Sequence, residues 1–136
     1  LNLARMEYLS KFTNDAGFSD HTLVERDGLK ASVVAIYLGA QVIERHFTIL
    51  DKTQTKDGPV SINPEQLKEL VEFSRMSKSE LEGYISRNVS EFGQMVGSAE
   101  RTLTHEELLN RDYYRGRFAS KVNGKVIYNW EDKKIF

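Results

Sequence analysis

Apolar residues at Leu3, Met6, Leu9 and Phe12 recur every three positions, which predicts an amphipathic helix over 2–12. Thr13-Asn14-Asp15 supplies the turn chemistry that ends it. Residues 16–22 are short and contain Gly17, and they read as a buried strand running into a loop. From Ala31 to Leu38 the chain is apolar on nearly every side, so a helix there is buried broadly, with Asp27 as its cap and Gly39 as its stop. Gln41 to Thr48 is the second strand. Asn63-Pro64-Glu65-Gln66 combines an Asn cap, a proline at the first helical position and a glutamine three residues after the cap. Leu67, Leu70, Val71 and Ser74 then share one face. Leu81, Ile85, Val89 and Phe92 at three- to four-residue steps predict a further helical stretch up to Gly97. Thr104-His105-Glu106-Glu107 is a capping-box start for a short helix through Leu108 and Leu109. Asn123-Gly124, between Phe118–Val122 and Lys125–Trp130, signals a hairpin.

Strands alternating with helices through residue 76 imply an α/β protein with parallel strands in βαβ units. Two parallel strands cannot close a sheet by themselves, so the others are missing or come from another chain. The 136 residues amount to one ordinary domain. With 40% hydrophobic and 29% charged residues, the chain fits a packed soluble domain and not a disordered one. Nineteen basic against 20 acidic residues leave a net charge of −1, so there is no electrostatic case for a general nucleic-acid or membrane binder. The absence of cysteine excludes disulfides, thiolate metal sites and a cysteine nucleophile, and it suits the cytoplasm. No apolar run approaches the ~20 residues of a membrane span, and no signal-peptide pattern opens the chain. Leu1-Asn2-Leu3-Ala4-Arg5-Met6 reads as the middle of something longer, so a fragment is expected.

On a strand, residues two apart point to the same side. Ser19 and His21 therefore share a face of the first strand, and Glu44 and His46 share a face of the second. If the strands are neighbours, both pairs converge at their C-terminal ends, where α/β folds place their sites. Two neutral imidazoles there could ligate a divalent cation, with a hydroxyl and a carboxylate alongside. The plain alternative is a pair of hydrogen-bonded strand-end histidines. His105, in the first turn of a capped helix among glutamates, reads as a solvated surface residue.

Gly17-Phe18-Ser19-Asp20-His21-Thr22 resembles the G-[FY]-S-D-H-T segment of the sialic acid (N-acetylneuraminate) synthase family. Gly39-Ala40-Gln41-Val42-Ile43-Glu44-Arg45-His46-Phe47-Thr48 resembles that family's G-A-x-[VI]-I-E-[KR]-H-F-T segment. Both occur in the family's order and at about its separation, and the likeness covers roughly residues 2–75. It implies a partial (β/α)₈ TIM barrel: the last two βα units, followed by helices and a C-terminal β-hairpin. Residues 1–76 would be the C-terminal part of the synthase barrel, and 77–136 a helical extension and the hairpin. A full barrel takes ~250 residues, so its front strands would be absent and the fragment alone inactive.

The family condenses phosphoenolpyruvate with an N-acetylated hexosamine, typically N-acetylmannosamine, to a nine-carbon sialic acid and phosphate. The resemblance puts His21 and His46 on a divalent metal, usually manganese or magnesium. Ser19 would meet the phosphate of phosphoenolpyruvate, and Glu44 would be the acidic residue beside the metal. The metal would polarise the sugar aldehyde for attack by C3 of phosphoenolpyruvate. The chain departs from the family after the second strand, where a Gly-Pro-Asp-His segment is usual. Here Lys56-Asp57-Gly58-Pro59-Val60-Ser61 has Val after Gly-Pro, and Asp57 is the candidate substitute carboxylate for substrate binding. Arg115–Ile127 only faintly resembles the opening of the family's antifreeze-like domain.

Arg111, Arg115, Arg117, Lys121 and Lys125 interleave with Tyr113, Tyr114 and Phe118, a pattern that fits a solvated hairpin edge better than a nucleic-acid surface. The expected partners are phosphoenolpyruvate and an N-acetylated amino sugar, with no nucleic acid and no membrane, in a homo-oligomer. Unpaired strand edges and apolar helix faces predict that the isolated chain self-associates. The other class of function is a non-catalytic barrel remnant that acts as an assembly module.

Overall fold

The computed structural model describes residues 1–113, 119–122 and 124–128. Its elements are α1 (Arg5–Leu9), β1 (Gly17–Asp20), α2 (Val24–Asp27), α3 (Lys30–Tyr37), β2 (Val42–Arg45), a 3₁₀ turn at Gly58–Val60, α4 (Pro64–Arg75), α5 (Lys78–Asn88), α6 (Phe92–Val96), α7 (His105–Tyr113), β3 (Ala119–Val122) and β4 (Lys125–Tyr128). They fall into two compact units, Leu1–Glu100 and Arg101–Phe136.

The first unit is built on one right-sized βαβ step. Strands β1 and β2 pair in parallel, with Gly17 opposite Val42, Ser19 opposite Glu44 and Asp20 opposite Arg45. The connecting helix α3 buries Ala31, Ser32, Val33, Val34 and Ala35, which is the broad burial that its unbroken apolar run demands. It ends where expected: Gly39 follows at φ 94°. Helices α4, α5 and α6 pack on α3, and Leu70, Phe73, Leu81, Ile85, Val89 and Met95 share its core. The unit therefore continues past residue 76 and includes both later helices.

Capping boxes fix both long helices. Asn63 accepts the Gln66 N–H while the Gln66 side chain accepts the Asn63 N–H, as its sequence predicts. Ser77 and Glu80 do the same for α5. The stretch expected to continue to Gly97 breaks after Asn88, and α6 follows as a separate helix.

Two other expectations are corrected. The first helix spans only Arg5–Leu9: Leu3 and Ala4 are held by the Met95 and Val96 carbonyls, and the chain enters the helix through three-residue turns, Arg5 N–H to Asn2 and Met6 N–H to Leu3. Asp27 does not cap α3. It is the last residue of α2, and its carboxylate takes a bidentate bond from Arg26, while Leu29 stands at the cap of α3 without a side-chain bond.

In the second unit Thr104 and Glu107 form the predicted box, with the Thr104 N–H donating to Glu107 and the Glu107 N–H to Thr104 Oγ1. Strands β3 and β4 pair antiparallel with Val122 opposite Lys125, a two-residue connection that agrees with the hairpin signal. Arg115, Arg117, Phe118, Asn123, Trp130 and the side chains of Arg111, Tyr113, Tyr114, Lys121 and Lys125 lie outside the described residues. Among the described residues no helix is long and apolar enough to cross a membrane.

Candidate functional site

The register that pairs β1 with β2 sets Ser19 beside Glu44, and both histidines lie just past the strands' C-terminal ends. Ser19 Oγ donates to Glu44 Oε1 at 2.9 Å and stands 3.4 Å from His21 Nδ1. His21 Nε2 and His46 Nε2 face each other at 3.1 Å, with the rings edge to face and their centroids 4.8 Å apart. The four residues that strand spacing groups in pairs thus meet on one open face.

The fifth candidate arrives by a different route. After β2 the chain makes a loop from 48 to 61 and returns to pair again. The Ile62 N–H donates to the His46 carbonyl at 2.8 Å, and the Thr48 N–H donates to the Ile62 carbonyl at 3.0 Å. Ile62 is fully buried and anchors that return. Within the loop Gly58 is pressed against the Lys52 carbonyl so closely that a β-carbon would lie 1.8 Å from its oxygen, so only glycine fits. The fold of this loop brings the Asp57 carboxylate to 3.8 Å from His46 Nδ1, with the Asp57 side chain 58% exposed.

The donor set fits a divalent cation in part. Two nitrogens each about 2.0–2.1 Å from one cation, at roughly right angles, stand about 3 Å apart, which matches the two Nε2 atoms. Among the described residues, however, no three His, Cys, Asp or Glu side chains cluster as a metal site. The centre is a two-histidine edge that would leave other coordination positions for water or substrate. Without a cation the same contact is an N–H···N hydrogen bond, which requires one ring to carry its proton on Nε2.

The sequence reading overlooked what lies on the other face of these strands. Asp20 and Arg45 stand opposite each other in register, and both side chains are buried in an ion pair. The available signal was a pair of opposite charges at matching positions, on the side that the apolar α3 covers. His105 begins α7 and is exposed, as its surface reading expects.

A parallel α/β unit with polar residues gathered at its strand ends is the class that geometry alone defines. Residues 1–100 match the model of the NeuB family, and the chain belongs to that family. It is 38% identical over 105 residues to the spore coat polysaccharide biosynthesis protein SpsE of Bacillus subtilis, covering 76% of this chain and 27% of that protein. It is 31% identical over 125 residues to a pseudaminic acid synthase of Campylobacter jejuni, covering 91% of this chain and 31% of that protein. An N,N'-diacetyllegionaminic acid synthase of Legionella pneumophila is 31% identical over 133 residues, with 89% of this chain and 32% of that protein covered. The crystal structure of SpsE superposes with a TM-score of 0.56 at 36% identity, over 78% of this chain and 29% of the SpsE chain. The chain spans about a third or less of the length of these relatives.

Proposed function

We propose that this chain is the C-terminal part of a (β/α)₈ synthase barrel that condenses phosphoenolpyruvate with an N-acetylated hexosamine of the N-acetylmannosamine type. The product is a nine-carbon sialic acid, with water consumed and phosphate released. The observation that carries the reading is the meeting of His21 and His46 at 3.1 Å, at the ends of adjacent parallel strands in a chain of this family. The open face of the sheet supports it too: Val42, on the same side as Glu44, is 59% exposed, as a residue facing an uncompleted barrel interior would be.

His21 and His46 would hold a divalent metal, manganese or magnesium, which when bound supplies Lewis-acid polarisation of the sugar aldehyde. The remaining steps belong to the chain's own side chains. Ser19 turns its hydroxyl from Glu44 to a phosphate oxygen of phosphoenolpyruvate, exchanging one charge-assisted bond for another. Glu44, released from Ser19, accepts a hydrogen bond from a sugar hydroxyl or from the water that adds at C2. Asp57, at the rim beside His46, takes the place of the carboxylate that contacts the amino sugar. Cationic groups for the carboxylate and phosphate of phosphoenolpyruvate come from the preceding strands.

The test is phosphate release from phosphoenolpyruvate and N-acetylmannosamine, with Mn²⁺ present. It is run on the chain alone and on the chain joined behind the first six βα units of a family member. Release is expected from the joined protein, and neither from the chain alone nor from joined His21→Ala or His46→Ala variants. A joined protein that folds but releases no phosphate with any N-acetylated hexosamine would overturn the reading and leave the assembly module, which needs no paired histidines.

A further inference from the structure

The two motif-bearing strand ends contain three polar residues with no part in the site: Asp20, Thr22 and Arg45. Strand alternation puts Asp20 and Arg45 on the face away from Ser19 and Glu44, under α3. There Asp20 is fully buried, and the Arg45 side chain is 2% exposed. Asp20 Oδ1 accepts the Thr22 N–H at 2.9 Å and the Thr22 hydroxyl at 2.7 Å, and it pairs with Arg45. Asp20 Oδ2 accepts the Ser32 hydroxyl of α3 at 2.6 Å. Arg45 donates from Nη1 to Thr22 Oγ1 at 3.1 Å, and from Nη2 to the Thr22 carbonyl at 3.1 Å and the Gly28 carbonyl at 3.5 Å.

The residues on either side of His21 are therefore both tied to Arg45, the residue that precedes His46. Asp20 and Thr22 flank His21 on both sides, and Arg45, one step before His46, grips Thr22 from the neighbouring strand. Replacing a buried ion pair by apolar residues of similar shape is often neutral or stabilising. Stability alone is thus a poor reason for this arrangement, whereas fixed geometry is a good one. We propose that Asp20, Thr22 and Arg45 are positioning residues, a buried latch that sets His21 at its distance from His46. The latch itself stands on the geometry of the strands, and only its effect on metal affinity rests on the function proposed above.

The experiment uses the whole 136-residue chain, with Thr22→Val, Thr22→Ser and Arg45→Lys. Metal-free NMR reads the inter-ring NOE between His21 and His46, and Mn²⁺ titration reads affinity. Thr22→Val and Arg45→Lys should each lose the NOE and bind Mn²⁺ about 10- to 100-fold more weakly, the range for groups that orient a metal's ligands. Thr22→Ser, which keeps the bridging hydroxyl, should retain both. A folded Thr22→Val chain with a lower melting temperature, an intact NOE and unchanged affinity would overturn the latch and leave a purely stabilising role. If both disruptive variants fail to fold, amide exchange in the unaltered chain decides: a slowly exchanging Thr22 N–H supports the latch, and a fast one contradicts it. An unaltered chain that shows the NOE but no Mn²⁺ binding would sink the metal reading, and the NOE in the variants would still decide the latch.

Discussion

The two faces of the β1–β2 pair are both polar at their C-terminal ends, yet they are built to opposite rules. On the covered face Asp20 and Arg45 have exchanged water for each other, for Thr22 and for Ser32, and one atom, Arg45 Nε, is left without a partner. On the open face Ser19, His21, Glu44 and His46 touch one another through single contacts of 2.9–3.4 Å and keep capacity to spare. A buried network engaged at every atom but Arg45 Nε specifies geometry and has little left for a ligand, whereas an open, partly engaged group of donors and acceptors keeps that capacity. The same two strand ends thus hold both a frame and what it frames.

The largest expected effect separates the faces by stability. Asp20→Ala leaves Arg45 buried without its carboxylate and should cost about 3–5 kcal/mol. His21→Ala, on the exposed side, should change stability by roughly 0.5 kcal/mol or less. Thermal or denaturant melts of the two variants check the contrast, and equal losses would erase it.

A smaller effect reaches the open face without touching the covered one. Gly58→Ala forces a β-carbon against the Lys52 carbonyl, so the 48–61 loop must move, at about 1–3 kcal/mol. Asp57 moves with it, and chemical shifts of His46 should change while those of Asp20 and Thr22 hold. A variant that melts like the parent with unchanged His46 resonances would show a loop loose enough to admit the β-carbon.

The smallest effect concerns an ion pair that lacks burial. Glu107 accepts from Arg101 and from the Thr104 N–H, which hold its carboxyl at about 2, below the ordinary 4.5. A carboxylate lowered on folding stabilises above its unfolded pKa and loses that stabilisation as pH falls through the folded value. The start of α7 should therefore stay formed down to about pH 4.5 and fray between there and about pH 2. Amide shifts of residues 105–108 on acid titration check this. Glu107→Gln should flatten the response, and fraying already under way at neutral pH would contradict it.

Much of this was legible in the residues. Strand spacing grouped Ser19 with His21 and Glu44 with His46 because period-two alternation is a local rule, and a βαβ step makes parallel neighbours of its two strands. The boxes at Asn63 and Thr104 were legible for the same reason, since all their partners lie within three residues. What sequence reading missed depends on partners far along the chain. Leu3 and Ala4 bond to Met95 and Val96, contacts that no local pattern could show. Asp27 has the right residue type for a cap but finds Arg26 beside it. Asp57 reaches His46 only because Ile62 returns to the strand, a contact fixed by burial and not by spacing.

Mn²⁺ calorimetry on the unaltered chain and on His21→Ala and His46→Ala tests the central claim most directly, namely that two neighbouring strand ends build one cation-holding edge. Binding near neutral pH by the unaltered chain is expected, with its loss in both variants and all three equally folded. Binding that survives either substitution, or none by a folded unaltered chain, would contradict it.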